Sequence, residues 1–272
     1  MKNFTSTLLL VFLYQILPAQ NTANDLILPY DGQFRPASNV GYFPPFTEVE
    51  LANLAAGNEN EAVPGAGIKA FRPALFEYFM EEYGYDFFIN NFNHYETVGL
   101  EDNTVIVGFP KEAHQDTSYY CPGIRSELFS NLYTPIWDNG QNGTPVNDNN
   151  PLALYVYETV TRYKDFARYW EIWNEPDFDY SGNSLKAPGQ AGNWWDNDPD
   201  PCHYKMKAPV QHYIRTLRIC YEVIKYIVPE SYVAVGGLGY PSFLDAILRN
   251  SDNPDNGTIN NQYPLRLSLI HI

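Results

Sequence analysis

The chain has 272 residues, of which 44% are hydrophobic and 16% aromatic, so it can form one large α/β domain or two small ones around a substantial core. Its formal net charge at pH 7 is −15, from 32 acidic and 17 basic residues, and no cluster of Lys or Arg stands out. Such a surface repels phosphate backbones, which argues against nucleic acid as a partner, although the same charge would also simply keep a protein soluble.

The first 19 residues have the pattern of a secretory signal peptide. One Lys precedes an apolar run from Leu8 to Leu17, and Pro18 and Ala19 then lead into polar sequence, which predicts cleavage near Ala19. The run is short for a membrane span, and an uncleaved anchor is the alternative. We therefore expect a secreted protein, extracellular or periplasmic, with no stable membrane anchor after cleavage.

Short β-type segments then alternate with helical segments along the chain. The predicted strands are 39–44, 67–73, 103–110, 167–176 and 231–241, and the predicted helices are 47–57, 74–84, 151–165, 209–229 and 242–250. Two turn-rich stretches, about 111–150 and 177–209, interrupt the alternation. The pattern predicts a parallel α/β fold that matches the first five units of a (β/α)8 TIM barrel. A doubly wound sheet is the competing fold, but no Gly-rich phosphate turn follows the first strand.

The C-terminal end of the chain does not look like a natural one. Residues 267–272, LSLIHI, reverse-translate to CTG TCT CTT ATA CAC ATC, which spells a transposase adapter used in sequencing libraries; a natural six-residue ending is the alternative. The segment before it has no helix stop and no closing element. We expect residues 20–266 to be the N-terminal part of a barrel, truncated after about the fifth strand–helix unit.

The motif that indicates chemistry lies in RYWEIWNEPDFDY, residues 168–180. An alternating apolar strand ends in Trp173-Asn174-Glu175-Pro176, so the Glu175 carboxylate stands at a strand exit, where barrels place their catalytic groups. WNEPD resembles the acid/base motif of the clan A retaining glycoside hydrolases. Together with the segment 213–248 it is most similar to the xylosidase/iduronidase-like and cellulase-like families, over about residues 39–266. A plain loop carboxylate is the alternative for Glu175.

The resemblance implies a secreted (β/α)8 barrel that hydrolyses O-glycosidic bonds in poly- or oligosaccharides with retention, using no metal or cofactor. This reaction needs two carboxyl groups about 5–5.5 Å apart, one of which must hold a proton near neutral pH. By resemblance, Glu175 is the proton donor and Asn174 hydrogen-bonds the sugar hydroxyl beside the anomeric carbon. Arg72, at the exit of the second strand, would orient the nucleophile, or would be an ordinary ion-pair arginine.

The family's nucleophile is a Glu at the end of the seventh strand, which this chain does not reach. Glu222 and Glu230 lie on or after a helix and face the wrong way. We therefore expect the fragment to be inactive and its full-length parent to be the enzyme. A non-catalytic carbohydrate-binding barrel is the main alternative, and an unrelated barrel enzyme such as a lyase is a weaker one.

Further candidates for sugar contact surround the motif. They are Trp173, Asp177, Trp194, Trp195 and Tyr204. Adjacent tryptophans in a polar, turn-rich loop suit stacking on a sugar, and pinning of the loop against the barrel is the alternative. The sequence does not indicate an oligomeric state.

The three cysteines are expected to play structural roles. Cys121 and Cys202 lie in Pro-rich, loop-like contexts, whereas Cys220 lies on a helical run. In an oxidising compartment a Cys121–Cys202 disulfide is a candidate pairing, with Cys220 in the core, and three free thiols are the alternative. The spacing fits no zinc site. The alternating aspartates of DNDPD, 196–200, lack the Gly and Glu that a calcium loop requires.

Overall fold

A computed structural model describes residues 35–39 and 45–253, so the signal-peptide segment and residues 267–272 lie outside the described residues. Short strands alternate with helices. The strands are β1 (Ala37–Asn39), β2 (Ala70–Arg72), β3 (Asn103–Val107), β4 (Ala167–Ile172) and β5 (Tyr232–Val235); the helices are α1 (Glu48–Ala56), α2 (Glu77–Tyr83), α3 (Ile89–Thr97), α4 (Pro151–Tyr163), α5 (Val210–Ile227) and α6 (Pro241–Arg249). No helix among these residues is long and apolar enough to cross a bilayer.

The strands are all parallel and follow one another in chain order. β1 pairs with β2, and β3, β4 and β5 form a three-stranded sheet with β4 in the middle. A parallel bridge between Ala74 and Ile106 links the two sheets just beyond β2, so β1 and β5 are the outer strands of the described layer. The α/β class and its parallel order are confirmed. A closed eight-stranded barrel and its truncation stay predictions.

Most of the predicted elements form where the sequence places them, with narrower bounds. The first predicted strand, 39–44, is described only at Asn39, which is the last residue of the observed strand Ala37–Asn39. α1 begins after Thr47, whose hydroxyl accepts a hydrogen bond from the Glu50 N–H while the Glu50 carboxylate accepts one from the Thr47 N–H. This capping box satisfies two N–H groups that the helix leaves without partners, which explains why the helix starts there.

Helix α3 was not predicted from the sequence. Its residues INNFNHYET include three Asn, which favour turns over helix interiors, and this composition hides the helical pattern. Tertiary contacts stabilise it instead, because Phe92 and Tyr95 are buried and the Glu48 carboxylate of α1 accepts hydrogen bonds from Tyr95 and Asn91. Helix–helix packing therefore overrides the local preference.

The core between strands and helices explains why the strands read as apolar runs. Val105 and Val107 of β3 and Trp170 and Ile172 of β4 are fully buried, as expected for a parallel sheet covered by helices. The Tyr213 hydroxyl of α5 donates to the Ile172 carbonyl and accepts from the Gly236 N–H, which ties α5 to the exits of β4 and β5. The helical layer thus holds in place the strand ends that carry the motif.

Candidate active site

The exit of β4 has an unusual backbone. Trp173 and Glu175 have φ values of 72° and 51°, and Phe109, just beyond β3, has 54°. Bulky side chains rarely adopt this left-handed region, and such strain persists only where surrounding contacts hold it. Trp173 is fully buried and stacks on Phe109 with ring centroids 4.3 Å apart. A Cβ at Gly108 would lie 2.9 Å from the Trp173 ring, so glycine is required there. The packed indole anchors the turn that presents Asn174 and Glu175.

Arg72 and Glu171 form a bidentate ion pair beside this turn. The Arg72 Nε donates to Glu171 Oε2 and its Nη2 donates to Oε1, both at 2.6 Å. Nη2 also donates to Asn174 Oδ1 at 2.9 Å, and Nη1 donates to Asn39 Oδ1 at 3.1 Å. The Gly237 N–H, just beyond β5, completes the network with a 2.7 Å bond to Glu171 Oε1. One guanidinium–carboxylate pair therefore joins the carboxyl ends of four strands.

Glu171 is the site residue that sequence reasoning missed. Its side chain is 9% exposed, and a carboxylate buried to that extent needs a charged partner. The signal was present in WEIW, residues 170–173, where one charged residue stands within an otherwise apolar run. The hydrogen bonds to Glu171 also raise the pKa of Arg72, so the guanidinium stays charged. Among the described residues the carboxylate paired with Arg72 is Glu171, and the orientation of a nucleophile by Arg72 stays a prediction.

A cavity of about 470 Å³ opens at the carboxyl ends of these strands. It is lined by Arg72, Asn174, Glu175, Asp177, Phe178 and residues 237–240. Glu175 is exposed and Asn174 half-buried, so the two side chains of the motif reach ligand-accessible space. The volume is that of a typical small-ligand site. Another cavity, of about 430 Å³, lies at the opposite, amino ends of β3–β5 and includes Glu230, where the barrel resemblance predicts no chemistry.

The predicted substrate contact of Asp177 needs correction. Asp177 lines the cavity but is 1% exposed, and its carboxylate accepts hydrogen bonds from the N–H groups of Gly239, at 3.2 Å, and Tyr240, at 2.7 Å. Backbone donors of the loop after β5 therefore already occupy both of its oxygens. Asp177 positions that loop as a wall of the cavity.

Asp177 gives a stability prediction that depends on pH. Burial raises the pKa of Asp177 above its ordinary 3.8, and the nearby Glu175 carboxylate adds to this, while the two backbone hydrogen bonds oppose it. A carboxyl whose pKa is raised by folding contributes stability at low pH that is lost as the pH rises through the folded-state value. In Asp177→Asn this contribution is absent. The measurement is urea unfolding of both proteins between about pH 3.5 and 7. As the pH rises, the free energy of unfolding of the wild type should fall relative to that of the variant.

An exposed carboxylate provides the control for this prediction. Asp148→Asn, in the loop before α4, should follow the wild-type pH dependence, because Asp148 is solvated in the folded protein. If the wild-type and Asp177→Asn curves stay parallel across the range, the pKa of Asp177 is not raised in the folded state.

Three of the aromatic residues predicted to contact sugar are buried, two of them predicted stacking platforms, so this part of the predicted site needs correction. Trp173, Trp194 and Tyr204 are at most 2% exposed. Trp194 contacts Tyr204 and Phe243 edge-on, and the Tyr204 hydroxyl donates to the Ala208 carbonyl. Trp194 and Tyr204 thus pin the loop after β4 against Phe243 of α6, which was the alternative interpretation. Trp195 is half-buried, and its role as a sugar contact stays a prediction.

Cys121 and Cys202 are joined by a disulfide, with Cα atoms 5.3 Å apart. The bond connects the loop after β3 with the loop after β4, while Cys220 is a buried free thiol in α5 whose pKa is raised by burial. The aspartates of the second loop have separate partners: Asp196 accepts from the Gly189 N–H, and Asp198 pairs with Arg249. In the part of the chain that the structure describes, no three His, Cys, Asp or Glu side chains are grouped as a metal site.

Removing the disulfide should lower stability measurably. The two cysteines are 81 residues apart, and closing a loop of that length restricts the unfolded chain by about 2–4 kcal/mol in typical cases. We expect the Cys121→Ser, Cys202→Ser double variant to lose about this free energy of unfolding in urea titrations. A reductant should destabilise the wild type by a similar amount and leave the double variant unchanged. Equal stability of all four samples would contradict the prediction.

Comparisons with known proteins find partial likenesses among solved structures. No protein-family model and no curated protein matches the chain. A family 39 glycoside hydrolase from Bacteroides cellulosilyticus WH2 aligns with 75% of this chain and 32% of its own length, at 16% identity and a TM-score of 0.40. A β-glucosidase from Thermotoga maritima aligns with 69% of this chain and 36% of its own length, at 14% identity and a TM-score of 0.36. The virulence factor SghA from Agrobacterium tumefaciens aligns with 62% of this chain and 33% of its own length, at 13% identity and a TM-score of 0.33. The chain spans about a third of the length of each.

Proposed function

We propose that this chain is the N-terminal part of a secreted retaining O-glycoside hydrolase with a (β/α)8 barrel, in which Glu175 is the general acid and base. The observation that carries the proposal is the 2.9 Å hydrogen bond from Arg72 to Asn174. It holds the amide of the WNEP motif at the mouth of the strand-exit cavity, with the exposed Glu175 carboxylate next in the chain. The substrate is a poly- or oligosaccharide.

In this mechanism the two residues of the motif act on neighbouring atoms of the sugar. Glu175 protonates the leaving-group oxygen as the glycosidic bond breaks, and later takes a proton from the water that attacks the anomeric carbon. The Asn174 side chain accepts from Arg72 through Oδ1, which turns its NH₂ group toward other acceptors. That NH₂ group can donate to the hydroxyl beside the anomeric carbon. Arg72 and Glu171 act indirectly, by fixing Asn174.

We propose that the second carboxylate comes from outside the described residues. Among the residues that line the strand-exit cavity, the carboxylates are Glu175 and Asp177, and the Asp177 oxygens are already bound to backbone N–H groups. The Glu171 carboxylate beside it is bound by Arg72 and the Gly237 N–H. Glu222, on the outer helix α5, is hydrogen-bonded to Arg218 and to Trp137. We propose that the nucleophile is a Glu at the end of the seventh strand of the full-length parent, so that the 272-residue chain alone is inactive.

The stereochemistry of hydrolysis tests this proposal. The full-length parent is incubated with aryl glycosides and neutral oligosaccharides, and the first-formed sugar anomer is followed by proton NMR. Retention of anomeric configuration is expected, because two successive displacements restore it. Inversion would contradict the double-displacement mechanism. Binding of oligosaccharides without release of any sugar would favour a non-catalytic carbohydrate-binding barrel.

A further inference from the structure

A third cavity lies between the loop after β3 and the first turn of α5. Its volume is about 360 Å³, and it is lined chiefly by Asp116, Tyr120, Phe129, Tyr133, Thr134 and His212. We call it the Tyr133 pocket. It shares no lining residue with the strand-exit cavity. Neither the Glu175 mechanism nor the packing of the core accounts for it.

Aromatic rings form the walls of the Tyr133 pocket. The His212 ring stands between Tyr120 and Tyr133, with centroids 5.1 and 5.4 Å away and both pairs close to edge-on. Phe129 and Leu132 are buried and form its floor. Tyr133 is 46% exposed, so part of its ring surface faces solvent at the pocket mouth. The pocket therefore offers apolar ring surface to a ligand without opening the core.

Polar groups are interleaved with these rings. Asp116, Asn131 and Thr134 also line the pocket. Burial lowers the pKa of His212, so at neutral pH its imidazole is uncharged and has one donor and one acceptor nitrogen. Across residues 35–39 and 45–253, no group hydrogen-bonds to either His212 ring nitrogen, while its backbone carbonyl accepts from Thr216. The imidazole can thus exchange hydrogen bonds with a hydroxyl group.

The charges around the pocket disfavour an anionic ligand. The Asp116 carboxylate repels anions, as does the net charge of −15. The Arg215 guanidinium lies 5.9 Å from the centre of the Tyr133 ring but is paired with Asp252, so it offers an anion no unpaired positive charge. A neutral molecule with an apolar face and several hydroxyl groups matches both the rings and the polar groups. A sugar ring is such a molecule.

The walls of the pocket are also fixed in advance. Tyr120 directly precedes Cys121, which the disulfide ties to the loop after β4. His212 lies in the first turn of the 18-residue helix α5. Because little ordering is needed on binding, affinity is not lost to immobilising these groups. We propose that the Tyr133 pocket is a non-catalytic saccharide-binding site, independent of hydrolysis at Glu175.

The test counts bound oligosaccharides by calorimetry. The full-length protein carrying Glu175→Gln is titrated with xylohexaose, cellohexaose, laminarihexaose and mannohexaose, so that the ligand survives the experiment. Tyr133→Ala in this background should lower the stoichiometry by one site, or weaken that site about tenfold or more, because it removes the exposed ring. Tyr133→Phe should retain the site. Tyr119→Ala is the matched control, because Tyr119 is 63% exposed in the same loop after β3 and does not line the pocket.

The outcomes separate this proposal from the proposed function. If none of the four sugars binds outside the strand-exit cavity, or if Tyr133→Ala binds as the Glu175→Gln parent does, the saccharide site is overturned. His212→Gln changes a different wall of the pocket and should also weaken the site. It replaces Tyr133→Ala as the test if that variant folds poorly. Hydrolysis by the wild type is measured separately. Hydrolysis by the wild type without saccharide binding at the Tyr133 pocket would overturn this proposal alone, and binding at the Tyr133 pocket without hydrolysis would overturn the proposed function alone.

Discussion

If the proposed function holds, replacing Glu175 by Gln in the proposed full-length hydrolase is expected to lower kcat/KM on natural glycosides by about a hundredfold to ten-thousandfold. Gln preserves the shape of the side chain but cannot transfer a proton, and positioned proton transfer contributes about that factor. Aryl glycosides with activated leaving groups should lose much less in the step that breaks the glycosidic bond, since their leaving groups need little protonation. Initial rates on both substrate classes measure the difference.

Glu230→Gln is the matched control for this variant. Glu230 is an exposed carboxylate in the cavity at the amino ends of the strands, so the same substitution there should leave both substrate classes unaffected. Unchanged turnover of natural glycosides by Glu175→Gln would remove Glu175 from the mechanism. An equal loss on both substrate classes would indicate a binding role in place of proton transfer.

Glu171→Ala is expected to destabilise the protein by about 2–4 kcal/mol and to lower kcat/KM by roughly a hundredfold. Removing one partner of a largely buried ion pair leaves the other charge uncompensated, and here Arg72 is 25% exposed. The Gly237 N–H loses its acceptor as well. Asn174 would then no longer be held by a fixed guanidinium, and displacements of about 1 Å cost rates of that order. Urea unfolding and initial rates test the two parts.

A surface ion pair provides the comparison for Glu171→Ala. Glu158 pairs with Arg162 one turn away on α4, with the two side chains 28% and 35% exposed. Glu158→Ala should cost about 0.5 kcal/mol or less, because exposed pairs of this spacing contribute little. If Glu171→Ala costs no more than Glu158→Ala, the Arg72–Glu171 pair does not hold the strand ends together. Full activity of Glu171→Ala would show that Asn174 is positioned without it.

The sequence predicted the order and type of most elements because those elements carry local signals. The β-branched run at 103–107 and the Pro at the start of α4 are properties of short windows, and the strands and helices form there. Helix α3 shows the limit, since the contacts of Glu48 with Tyr95 and Asn91 that stabilise it come from 43 to 47 residues away in the chain. The residues next to α3 in the sequence therefore do not indicate these contacts.

The candidate site was predictable where a motif marks it and obscure where only three-dimensional contacts define it. Asn174 and Glu175 follow from WNEP at the end of a strand. The pairing of Arg72 with Glu171 joins residues 99 positions apart. The burial of Trp194 and Tyr204 depends on Phe243 in α6, so a polar-looking loop hid two core side chains. The sequence shows that an aromatic ring is present in the loop. Only the three-dimensional packing shows whether that ring contacts a ligand or the protein core.

The order of the strands has a consequence for handling the protein. β1 and β5 each have a single strand neighbour within residues 35–39 and 45–253, so each presents a row of backbone N–H and C=O groups along its outer side. Such rows are templates for pairing with another chain. When these residues are produced by themselves, insoluble material is the expected product. A soluble preparation should contain either additional strands from the same polypeptide or a second molecule paired along the same edges.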